Sequence, residues 1–131
     1  MGRKKKRKID YTACVSANDT FDMIYNGMLK HMAFRNLSLG ARYFYILCRV
    51  NSKGDGRSCL YQHGKENNTL YTEHDFVFPA KQQAAFGIDR SNGSKYFKEL
   101  MAAGFVERKE ENKHRQKVNV YTFVDKWRNT S

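Results

Sequence analysis

The chain is short of acidic residues. Its 131 residues hold 13 Asp and Glu against 24 Lys and Arg, a formal charge of +11 at pH 7. That imbalance favours polyanionic partners through a long-range field, with nucleic acid ahead of an acidic lipid surface. Long apolar runs are missing. None is sufficient to cross a bilayer, and none follows the basic start as a secretory leader requires. No membrane partner is therefore expected. Cysteine is scarce: Cys14, Cys48 and Cys59 form an odd set without paired spacing. This argues for free thiols in a reducing compartment. A cytoplasmic protein is expected, or a nuclear one in a host with a nucleus.

Catalytic signatures are absent too. Neither G-x-x-x-x-G-K-[ST] nor G-x-G-x-x-G occurs, so a phosphate-loop enzyme has no local support. The carboxylates are too scattered to mark an acid–base pair. Cys59, His63 and His74 offer metal-ligand chemistry, but not as a pair of pairs, and a fourth ligand would have to come from afar. His31, beside Met32, suits an element boundary better than catalysis. No enzyme, cofactor or metal is expected, and no internal repeat is visible.

What is present suits a compact fold. The apolar share of 40% is enough for a core, and the length suits one domain with a loose end. Residues 1–10 divide from 11–131. Met1 to Lys8 reads MGRKKKRK, in which like charges repel and bury nothing, so a disordered basic arm is expected. Arg3, Lys4, Lys5, Lys6, Arg7 and Lys8 are candidate DNA-backbone contacts, neutralising phosphates and releasing counterions. The arm's composition would also fit a nuclear localisation signal.

Tyr11 to Val15 suggests a short strand. Met28, Leu29 and Met32 suggest one face of a helix beginning near Tyr25, with Gly27 weakening its start. Ser38 is a good N-cap for a helix in which Leu39, Tyr43, Ile46, Leu47 and Val50 recur at helical spacing. Ala41, Phe44, Tyr45 and Cys48 broaden its apolar surface, which marks it as central. NSKGDG should end it near Asn51. The stretch from Gly54 to Glu73 is hard to read, with a short helix suggested near Tyr61 to Glu66. Phe76, Val77 and Phe78 read as a short strand.

From Pro79 the pattern sharpens. Pro79 fits the first turn of a helix, and Ala84 and Ala85 keep its inner surface small. Phe86 and Ile88 bracket Gly87, which suits a left-handed cap. Asp89 can cap a second helix from about Arg90 to Ala102, with Gly93, Phe97, Leu100 and Met101 on its inner side. Outside lie Arg90, Ser91, Asn92, Ser94, Lys95 and Lys98. Helix, turn and basic helix point to double-stranded DNA. Arg reads guanine edges and Asn reads adenine, so Arg90, Asn92 and Lys95 are the candidate base contacts. Ser91, Ser94 and Lys98 are the candidate backbone contacts. Gly104 ends the helix. A hairpin follows from Phe105 and Val106 back to Val118, Val120, Phe123 and Val124. Its basic tip offers Lys113, Arg115 and Lys117 to phosphates.

GIDRSNGSKYFKELMAAGFVERK resembles the second half of a winged helix-turn-helix domain. Gly87-Ile88 resembles its turn, Phe97 and Leu100 its buried residues, and Gly104-Phe105-Val106 the junction into the wing. NLSLGARYFYIL is similar to the opening helix of winged-helix domains in plasmid and mobile-element replication initiators. The resemblance covers roughly Leu37 to Trp127. It implies an α+β fold with a helical core and a small antiparallel β-hairpin wing, and 11–131 as a single winged-helix domain. It further implies sequence-specific duplex DNA binding in replication initiation or transcription regulation. Two departures stand out: Gly93 replaces a larger apolar residue, and Gly54 to Glu73 is longer than the simplest members need. A homodimer is slightly favoured, using aromatic surface around Phe21–Met32 and Tyr43–Tyr45. RNA binding and a winged helix used for protein assembly are the alternatives.

Overall fold

The computed structural model describes residues 24–111 and 118–129. The basic arm, the Tyr11–Val15 strand and the hairpin-tip residues Lys113, Arg115 and Lys117 lie outside the described residues. The chain forms a mixed α+β fold of several helices and a small three-stranded antiparallel sheet.

Two short helices open it, α1 (Asn26–Lys30) and α2 (Met32–Arg35). His31 separates them and caps α2, its Nδ1 accepting from the Ala33 N–H at 3.1 Å. The shared apolar face of Met28, Leu29 and Met32 does not form. Met28 is buried, whereas Leu29, a 100° step round the same helix, is exposed, and Met32 is exposed beyond the break at His31, which changes the helical phase.

Helix α3 (Leu39–Ser52) is the central one, and Ser38 caps it by accepting from the Ala41 N–H. Its burial is rotated from the expected phase. Phe44, Tyr45, Leu47, Cys48 and Ala41 are buried, whereas Leu39 is 76% exposed, Tyr43 50% and Val50 39%. Two apolar rows compete on this helix, and its partners choose between them. Gly40 sits against the Tyr96 ring, where a Cβ would overlap it. At the other end, Asn51 Nδ2 donates to Gln82 Oε1 at 2.7 Å. These two contacts hold the helix in its observed rotation.

NSKGDG proves to be a tight corner between two helices. α4 (Asp55–Asn67) begins immediately after Gly54 and runs through the stretch that suggested only a short helix. It escapes apolar periodicity because its buried positions are Gly56, Leu60, His63 and Gly64. Glycine there lets backbones touch: a Cβ on Gly56 would lie 2.7 Å from the Val77 carbonyl oxygen.

Strand β1 (Asp75–Phe76) stops short of Val77 and Phe78, which are buried without strand pairing. α5 (Ala80–Ala84) is about one turn long, with Pro79 as its N-cap. Its inward residue is Gln83, while Ala84 and Ala85 are exposed. Gln83 Nε2 donates to the Phe78 carbonyl at 2.6 Å. Gly93 supplies the room, since a Cβ there would overlap Gln83 Oε1. Gly87 is left-handed at φ +80°. Ile88 N–H donates to Gln83 O at 3.1 Å and Gly87 N–H to Ala84 O at 3.0 Å, the paired bonds of a Schellman ending.

α6 (Arg90–Ala103) is capped by Asp89 and closed by Gly104 at φ +87°. β2 (Val106–Glu110) and β3 (Val120–Phe123) follow, giving the sheet order β1-β3-β2. The main core joins α3 and α6 to the sheet through Phe44, Phe76, Phe97, Leu100, Phe105, Val106 and Tyr121. A smaller cluster of Leu60, Val77 and Val120 joins α4 to the sheet. Trp127, in a final 3₁₀ turn (Lys126–Asn129), stacks on Phe105.

Candidate nucleic-acid interface

Helix α6 is held firmly along its inner side. Gly93, Phe97 and Leu100 are buried. Phe97 packs face to face on Tyr121 with centroids 3.9 Å apart. Glu99 accepts from the Ser38 N–H at 2.8 Å and the Ser38 hydroxyl at 2.9 Å, pinning α6 to the start of α3. That contact engages the single carboxylate of the helix with α3.

Arg90, Ser91, Asn92, Ser94, Lys95 and Lys98 are all exposed. At about 100° per residue, Arg90 and Asn92 fall on opposite flanks of the first turn, with Ser91, Ser94, Lys95 and Lys98 between them. The three candidate base contacts thus share the N-terminal part of α6. The candidate backbone contacts Ser91, Ser94 and Lys98 share its outer face.

Asp89 shapes the entry to this face. Its carboxylate accepts from the Asn92 N–H at 2.8 Å, the Asn92 side-chain amide at 3.2 Å and the Ser91 hydroxyl at 3.0 Å. The Asn92 N–H, followed by the Ser91 hydroxyl, holds the Asp89 carboxyl below the usual carboxylate range. Reading a base with Asn92 means exchanging the Asp89 contact. The sequence marked Asp89 as a cap, but not its hold on two candidate contact side chains.

Two groups of cations near the α5–α6 unit and the sheet differ in pairing. Arg90, Lys95 and Lys98 on α6, and Lys81 on α5, have no carboxylate partner among the described residues. Those near the sheet are paired: Arg108 with Glu111 at 3.5 Å, Lys109 with Asp75 at 2.6 Å, Lys126 with Glu107, and Arg128 with Asp125 at 3.8 Å. Lys109 is the extra residue at the irregularity between Arg108 and Glu110 in β2. Its ammonium reaches the buried Asp75 on the far strand. Positive charge without a carboxylate partner among the described residues therefore lies on the outer side of the α5–α6 unit, as it also does at Lys30, Arg35, Arg42, Arg57 and Lys65 elsewhere.

Asp75 gives a pH test of the scaffold. Burial alone would raise its carboxyl. The Lys109 ammonium, the Thr72 N–H and the Thr122 hydroxyl outweigh burial and hold it below the usual range. A depressed folded pKa stabilises above the unfolded value of about 3.9. That contribution is lost as pH falls through the folded value. Asp75→Asn should cost about 1–3 kcal/mol at neutral pH by removing a buried charge-assisted bond. It should also flatten the decline in stability on the acid side, as measured by urea melts from pH 7 to pH 3.

Cys59, His63 and His74 are not brought together as ligands, and no metal-holding group of three His, Cys, Asp or Glu occurs among the described residues. Cys48 and Cys59 are free thiols. No described helix is long and apolar enough to cross a membrane. No protein-family model, curated protein or solved structure matches the chain.

Proposed function

We propose that the chain is a sequence-specific duplex DNA-binding protein of winged helix-turn-helix type. In this reading α5, its Gly87 turn and α6 form the helix-turn-helix, and β2–β3 forms the wing. The carrying observation is the contrast between unpaired cations on α6 and paired cations around the sheet. Unpaired, hydrated Lys and Arg can neutralise phosphates without first breaking an ion pair.

The mechanism follows from the helix. A helix fits the major groove, and its N-terminal residues meet base edges. Arg90 reads guanine, Asn92 reads adenine after leaving Asp89, and Lys95 completes the readout. Lys98 and Ser94 hold phosphates. The basic arm at residues 3–8 and Lys113, Arg115 and Lys117 in the wing add sequence-independent attraction. The resemblance to mobile-element replication initiators favours replication initiation or transcription regulation as the role, in the cytoplasm.

Selection from randomised duplexes tests the assignment. Arg90→Ala, Asn92→Ala and Lys95→Ala should each change the selected sequence, with about 1–3 kcal/mol lost per true base contact. Lys113→Ala and Arg115→Ala should lower affinity without changing preference. Unchanged preference in all the α6 variants would remove the base-reading assignment.

A second reading is assembly as a homodimer through α3. Leu39, Tyr43, Ile46 and Val50 form an outward apolar row at alternating spacings of four and three residues, which suits a helix partner. Tyr45, expected to contribute, is buried in the core instead. The solution mass, with and without duplex, decides this reading.

A further inference from the structure

Helix α4 and the chain after it enclose a cleft of about 440 Å³, within the size range of small-ligand sites. It is a built feature. Asn68 takes the left-handed conformation at φ 54° and turns the chain back along α4. Thr69 N–H closes the turn on Gly64 O at 2.9 Å. Gly64 permits that approach, since a Cβ there would lie 2.7 Å from Thr69 O. Tyr71 then anchors the returning segment, its hydroxyl donating to Glu110 Oε2 at 2.5 Å. Burial, then the Glu110 bond, pushes that hydroxyl up to about 12, so it stays a donor at neutral pH.

The lining has a distinctive chemistry. Arg57 and Lys65 are its cations, and it includes no carboxylate among the described residues. Arg57 spends one N–H on Thr72 O at 3.3 Å, leaving other guanidinium donors for an anion. Lys65 Nζ stands over one face of the Tyr61 ring, 4.8 Å from its centroid, so a group stacking on Tyr61 takes the opposite face. Tyr61 is 66% exposed and Leu70 97% exposed, so an aromatic and an aliphatic surface lie open to solvent beside two cations. Ring and cation together suit a flat aromatic group carrying a phosphate.

We propose that this cleft binds a nucleotide, its base stacked on Tyr61 and its phosphate held by Arg57 and Lys65. The source is a free mononucleotide or one residue of a single strand. This site lies on α4, away from the α6 contacts, and does not rest on duplex reading.

The test is calorimetric titration of the full chain at low salt with thymidine monophosphate, inorganic phosphate and a short oligothymidylate. The monophosphate or the oligonucleotide should bind at least about tenfold more tightly than phosphate, as base stacking on an aromatic ring predicts. Tyr61→Ala should lower that affinity by about tenfold and leave phosphate binding unchanged. Lys65→Ala should weaken both. Both side chains are exposed, and unchanged melting temperatures would verify that the variants fold. A Tyr61-dependent preference for the oligonucleotide assigns the site to single strands, and equal affinities assign it to free nucleotides. Phosphate binding as tightly as nucleotide, or an absence of Tyr61-dependent binding by either nucleotide probe, would overturn the proposal. Neither result bears on duplex affinity, which is read through Lys95 and Lys98.

Discussion

Replacing both Lys95 and Lys98 with glutamate is expected to lower affinity for any duplex by about a hundredfold near 0.1 M salt. Each change removes an attraction to phosphate and adds a repulsion, at about 1 kcal/mol or more per close charge pair near the surface. Both lysines are exposed and have no carboxylate partner among the described residues. The fold should therefore be little affected, within about 0.5 kcal/mol per exposed substitution. Lys126→Glu combined with Arg128→Glu is the control. It changes net charge equally, but at side chains in the final turn already paired with Glu107 and Asp125. Under the α6 account the control loses only several-fold through the bulk field. Equal losses in both double variants would mean that affinity reports total charge and no particular face. Fluorescence anisotropy with a labelled duplex measures the difference.

Phe44→Ala should produce the largest loss of stability, about 3–5 kcal/mol in urea denaturation. Phe44 is fully buried. It packs against Phe78, Tyr96 and Phe97 at centroid distances of 5.3, 5.6 and 4.8 Å. Removing its ring leaves a cavity where α3 meets α6 and the chain before α5, and α6 would lose its rigid seat. Leu39→Ala on the opposite row should change stability by less than about 0.5 kcal/mol, because Leu39 is largely in solvent. Comparable costs for the two would contradict the observed rotation of α3.

That rotation shows where sequence reasoning reaches its limit. Ser38, Gly87, Asp89 and Gly104 act through bonds within a few residues, so their roles were legible from local chemistry. The outward placement of Lys95 and Lys98 was legible for the same reason, because helical spacing from Phe97 and Leu100 sets it, whereas Arg90 is exposed as the first residue of the helix. The buried face of α3 was not legible. Both of its rows are apolar, and the choice depends on Tyr96 and Gln82, which lie far along the chain. α4 was hidden because glycine and histidine occupy its inner positions. Gln83 shows the same difficulty. A polar residue takes the inward place just before two exposed alanines, Ala84 and Ala85, because Gly93 leaves space and the Phe78 carbonyl accepts its amide. Pairing between Lys109 and Asp75 joins two strands across 34 positions of sequence, and no local pattern announces it.

The most direct measurement is a titration of the folded chain with duplex DNA at several salt concentrations, with circular dichroism verifying the fold in each buffer. Tight binding at low salt is expected, with the logarithm of affinity falling linearly against the logarithm of salt concentration. The Lys95→Glu, Lys98→Glu variant should show a shallower slope, by about two phosphate contacts. A folded sample that binds no duplex at low salt would contradict the account.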